Sequence, residues 1–221
     1  MGTQRVSWIG IGATVIGLGA ALAFAATFPA VEGLGTKVRL PVFHGAMTWV
    51  NLMAFVALAG SALLSLISGR DVWYRWAEAL RWIAVPMWLV GTVLGLLAAL
   101  NTWDFTGSKA TKLSVITADP RLMAQFWILV AGFAVVALMF LLRERFWHGV
   151  LDIAFVVTAW GLIARAILGP GRALHPDSPV MNSDEIRIKL LFIGMVISIA
   201  VALIAGAWTI VKARTGTPIP E

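Results

Sequence analysis

The chain has 221 residues, of which 60% are hydrophobic and 13% charged, against roughly 45–50% and about 25% in ordinary globular chains; a conventional water-soluble domain is excluded and a membrane protein expected. It contains no cysteine, which rules out disulfide frameworks, thiolate metal sites, iron–sulfur clusters and cysteine nucleophiles. The net charge is +6, but the 17 Lys and Arg fall in ones and twos between apolar runs, without the basic stripe that nucleic-acid binding requires. No nucleic acid is expected as a partner.

A bilayer core takes about 20 mostly apolar residues per helix. Six runs of that length occur, at approximately 7–29, 43–68, 82–101, 122–142, 149–169 and 190–211. The first also has features of a signal peptide, with Arg5 ahead of it and Ala23 and Ala25 near its end. Its apolar stretch exceeds the about 7–15 residues of a signal core, which favours a retained helix. In the third run Gly91 and Gly95 form a GxxxG pair that lets helices approach closely, and Pro86 is a kink position. Only the fifth run carries ionised residues, Asp152 and Arg165. No polar stretch is long or periodic enough for a second domain, and no fixed-period repeat, low-complexity tract or heptad pattern occurs. The reading is an all-α polytopic membrane protein, with six transmembrane helices in one bundle spanning residues 1–221.

Six helices put both termini on one side, with the short connections around 69–81 and 143–148; longer segments, roughly 30–42, 102–121 and 170–189, fall on the other. Lys and Arg outside the spans number eight on each side, but those on the termini side crowd close to helix ends, where the positive-inside bias is strongest. That density places both termini in the cytoplasm and the long loops outside a cytoplasmic (inner) membrane. Trp73, Trp76, Trp82 and Trp147 lie at the termini-side boundary, where aromatic belts anchor helices.

Of three histidines, His44 opens the second run and His175 follows the fifth, both on the long-loop side, while His148 is on the other. Neutral imidazole ligates haem iron, and bis-histidine ligation needs two side chains converging on opposite faces of one porphyrin. His44 and His175 meet the placement this requires; equally, each is explained as an interfacial polar residue at a helix end. Thr48 and Asn51 follow His44 at i+4 and i+7, a weakly polar stripe that should face the bundle because lipid offers polar groups no partner. Arg165, about one turn inside its helix, either snorkels to lipid phosphate or, with Arg172 and Arg121, pairs with haem propionates. Asp152 is expected to partner Arg143, Arg145 or His148. Trp49, Trp88, Trp103 and Trp127 are placed either to wall a flat macrocycle or simply to pack. There is no HExxH, P-loop, dinucleotide fingerprint or GxSxG elbow, so no motif of these kinds marks a catalytic class.

Three segments in this order resemble the haem-handling membrane proteins of cytochrome c maturation, most closely the six-helix CcmC type and more distantly CcsA and CcmF. Pro41-Val42-Phe43-His44-Gly45-Ala46-Met47-Thr48-Trp49 resembles that family's histidine segment at the start of the second helix. Asp119-Pro120-Arg121-Leu122-Met123 is similar to the end of its tryptophan-rich motif, and Arg172-Ala173-Leu174-His175-Pro176 resembles the segment carrying its second histidine. The resemblance implies haem b held at the outer face with His44 and His175 as axial ligands. Trp49, Trp103, Asp119, Arg121, Arg165 and Arg172 complete the candidate cofactor site. It further implies delivery of haem to a periplasmic haem chaperone or to apocytochrome c, alongside ATP-binding transporter subunits. The loop from Thr102 to Ala118 departs from the family by keeping only Trp103 of the tryptophans and placing Ala118 where the last would stand. Two other roles therefore stay open: a haem b anchor transferring electrons between quinol and partner redox-complex subunits, and a structural subunit with incidental histidines.

Overall fold

The computed structural model describes residues 7–103, 105, 110–169, 180 and 183–215. Among these described residues six helices are long and apolar enough to cross a membrane: α1 (Trp8–Thr27), α2 (Arg39–Ser68), α3 (Asp71–Thr102), α5 (Pro120–Leu141), α6 (Arg145–Leu168) and α7 (Ile186–Ala213). A six-residue helix, α4 (Lys112–Thr117), lies in the loop before α5, and a 3-10 turn (Thr36–Val38) leads into α2. Among the described residues the only β feature is a bridge between Val31 and Gly35. The chain is thus an all-α, multi-pass membrane bundle.

The helix ends follow local rules. Ser7 caps α1 by accepting from the Gly10 amide, and Gly69 ends α2 in the left-handed conformation at φ 64°. α5 opens with Asp119 as its cap and Pro120 in its first turn, where proline's missing N–H costs nothing. α3 runs through Pro86 without interruption, although that residue cannot donate the usual bond to the preceding turn.

The largest departure from the sequence expectation is α3, which begins at Asp71 rather than near residue 82. Its first three turns carry Asp71, Arg75, Glu78 and Arg81, charges that a hydropathy scan assigns to a connection. The structure keeps them helical because each has a partner. Arg145 binds Asp71 at 3.0 Å, Arg75 donates to the Arg214 carbonyl, Glu78 accepts from Arg214, and Arg81 meets Asp152. Asp152 therefore does not partner Arg143, Arg145 or His148 as expected. Its two oxygens accept from Arg81 Nε and Nη2 at 2.8 and 2.9 Å, both side chains being buried.

α2 is the central element, packing on α3 along most of its length and also on α1, α6 and α7. Half of its apolar window is buried, against 22% for α1, α5 and α6, whose outer faces are apolar and uncovered, as lipid contact requires. The core forms where Phe55 of α2 meets Trp88 of α3 and Phe155 of α6, with ring centroids 5.3 and 4.9 Å away. α1 docks almost entirely on α7. Gly17 makes that approach possible, since a Cβ there would lie 2.7 Å from the Ser198 carbonyl oxygen, and Thr14 donates across the seam to the Ala202 carbonyl at 3.3 Å.

Candidate functional site

The inward face of α2 is written at helical spacing. His44, Met47, Asn51, Phe55, Leu58 and Ala62 are all buried, the i, i+3, i+7 pattern of a single face. His44 is 7% exposed, so its imidazole lies inside the bundle near the loop-side end of the helix. Three contacts define its surroundings. Its ring rests against α3 at Gly95, where a Cβ would stand 2.8 Å from Cε1 and 3.0 Å from Nε2. The side-chain amide of Gln125 in α5 approaches Nε2 at 3.4 Å. Thr48, one turn on, donates back to the His44 carbonyl at 3.0 Å. With the Gln125 amide as donor, His44 Nε2 is the acceptor, and its lone pair is the one a metal ion would take.

Two further hydrogen bonds hold this frame. Trp88 Nε1 donates to the Gln125 carbonyl at 2.9 Å, tying α3 to α5. Asn51 donates to the Ala84 carbonyl at 3.1 Å, tying α2 to α3. In a membrane such bonds act as cross-links because their groups have no water to turn to.

Beside His44 opens a cavity of about 410 Å³ whose walls include Trp49, Trp88, Arg121, Gln125 and Phe192, with the remainder largely aliphatic. Its size falls in the range of roughly 300–1,000 Å³ typical of small-molecule sites. Arg121 is half-buried and brings the cavity a positive charge from the first turn of α5; its Nε is buried without a hydrogen-bond partner. The backbone that places it is fixed by Asp119, whose Oδ1 accepts from the amides of Arg121 at 2.9 Å and Leu122 at 3.1 Å.

Of the candidate cofactor residues, His44, Trp49 and Arg121 are therefore brought together at one cavity. Trp103 caps the end of α3 and lines a small adjoining cleft with His44 and Gly95. Asp119 is fully buried, and the role its geometry defines is that of a helix cap rather than a cavity wall. Arg165 is not brought to the cavity. Ile163, Ala166 and Ile167 supply that face of α6, whereas Arg165 is exposed on another side of the last turn, the position of a snorkelling side chain. His175 and Arg172 lie outside the described residues. The sequence reading overlooked Gln125, whose signal was available: it is the one polar side chain in the run 122–142. Gly95 was assigned to helix packing, but what approaches it is a side chain, His44, while nothing lies within 4 Å of a Cβ at Gly91.

The third histidine belongs to a separate cluster at the termini-side end. His148 is buried, with Nε2 2.9 Å from the Leu142 carbonyl and Nδ1 3.0 Å from the Tyr74 hydroxyl. The carbonyl can only accept, so Nε2 carries a proton, and in the neutral ring Nδ1 accepts from Tyr74. Both nitrogens are engaged in joining α3, α5 and α6. Among the described residues no three His, Cys, Asp or Glu side chains gather as metal ligands.

Whether these residues suit haem is answered by the donor set. One imidazole, one guanidinium, two indoles and aliphatic walls are the groups that an iron, a propionate and a porphyrin face respectively need, so the described part of the site fits. The chain matches no protein family model, no curated protein and no solved structure.

Proposed function

We propose that this membrane protein binds haem b near its long-loop face through His44 and His175 and delivers it for cytochrome c assembly. The observation that carries the reading is the burial of His44 in the wall of a cavity that also receives Arg121. Facing an arginine whose Nε is buried without a hydrogen-bond partner into an apolar cavity within a membrane is costly without an anion to receive it. His44 and His175 would hold the iron; Arg121, with Arg172, would pair with propionates. Trp49 and Trp88 would lie against the macrocycle and keep water from the iron. Bound haem supplies the porphyrin that is passed on, and the protein's residues hold and orient it.

In this reading the long loops face outward from the cytoplasmic membrane, both termini are cytoplasmic, and partners are a periplasmic haem chaperone or apocytochrome c together with ATP-binding transporter subunits. Retained haem passing electrons from quinol to partner redox-complex subunits is the competing role. A chaperone pull-down separates the two: capture that depends on haem supports delivery, whereas fast reduction of a tightly held haem by a quinol analogue, with no capture, replaces delivery by electron transfer.

A further inference from the structure

A second concavity, a groove of about 700 Å³, runs down the bundle between α2, α3 and α7. Its floor is a helical stripe on α2, Val50, Ala54, Ala57 and Ser61, whose small members leave the space open. Trp73 and Trp76 of α3 close its termini-side end, and Trp49 and Phe192 stand at the other. Trp49 and Phe192 also line the cavity at His44, so groove and cavity share a wall. Depth follows from helix rise. Trp49 is ten residues into α2, about 15 Å below its loop-side end at 1.5 Å per residue, and the stripe continues for about another 18 Å to Ser61. The 30 residues of α2 span about 45 Å against a hydrocarbon core about 30 Å thick, so with α2 centred in the membrane the cavity lies near the loop-side boundary and the groove runs from within the loop-side half to near the termini-side boundary.

We infer that the groove is a lateral route by which a flat, amphipathic porphyrin passes between the termini-side leaflet and the cavity at His44, with Trp49 and Phe192 as the sill. This rests on the haem reading proposed above and extends it to access. Indole and phenyl rings at both ends of the groove offer faces on which a planar aromatic body stacks, a feature an acyl chain does not use. The route also ends at a cation, Arg121, complementary to the carboxylates such a ligand carries. Trp49 is 57% exposed, so it can turn without disturbing the core.

The test uses the full chain in phospholipid vesicles, with two probes. Metal-free protoporphyrin IX, which cannot ligate through iron, should bind to Val157→Phe as it does to wild type. It should bind at least about tenfold more weakly to Ala57→Phe and to Ala200→Phe, which fill the groove from opposite walls. Hemin presented in vesicles should load both groove variants to the wild-type end point, which also certifies their fold, but at least about tenfold more slowly. Val157→Phe, on the lipid face of α6 where the residue is 66% exposed, should load at the wild-type rate. Wild-type porphyrin binding and loading in both groove variants would overturn the route while leaving the haem site standing. Failure of wild type to take up hemin at saturation would overturn the haem reading, and with it the route.

Discussion

At His44 an imidazole packs against α3 only because residue 95 has no side chain. Gly95→Leu should drive the ring from its place, since even a Cβ would come within 2.8 Å of it, and haem per chain after hemin reconstitution should fall to less than about half. Gly91→Ala should bind as wild type, since nothing lies within 4 Å of a Cβ added there. Equal haem content in the two variants would show that the His44 position does not matter to ligation. The two arginines separate in the same way. Arg121→Leu should weaken hemin binding about tenfold or more, the scale of a charge-assisted hydrogen bond of about 1.5–3 kcal/mol. Arg165→Leu should leave it unchanged, because Arg165 faces away from the cavity. An optical hemin titration of both variants reads this directly.

Among the elements, α3 and α6 are held together by two polar rungs, Tyr74 to His148 and Arg81 to Asp152. Asp152 is 1% exposed and Arg81 4%, so removing one partner leaves the other buried and unpaired. Arg81→Leu or Asp152→Leu alone should cost about 3–5 kcal/mol, whereas the double leucine variant should recover most of it. Denaturant unfolding in mild detergent measures the cycle, and additive losses would mean that the pair is not coupled. This rung also shows where sequence reading stops. The six apolar runs were legible because a bilayer demands a length and a composition that any scan detects. The start of α3 was not, because charges count as exterior until their partners are known, and Arg81 and Asp152 are 71 residues apart. Asp119-Pro120 is legible as a helix start from its residue types alone. The stripe through His44 correctly gave its inward direction, but the meeting of Gly95 and Gln125 at its ring is a non-local fact.

For the molecule as a whole, α2 is the axis on which the other helices are arranged, and the candidate site sits at its loop-side end. α1 is the most peripheral span, secured mainly by its seam with α7, so Gly17→Leu should loosen α1 while leaving haem uptake intact. Proteolysis or cross-linking of the first helix should report the loosening, and haem lost in parallel would mean that α1 supports the site. The most direct test of the central claim is a pair of oxidised and dithionite-reduced visible spectra, with pyridine haemochrome stoichiometry, for wild type, His44→Ala and His148→Ala purified in mild detergent. Sharp reduced α and β bands at close to one haem b per chain in wild type and His148→Ala, lost in His44→Ala, are the predicted result. A wild-type protein that stays colourless after reconstitution with excess hemin, or a His44→Ala spectrum indistinguishable from wild type, would contradict it.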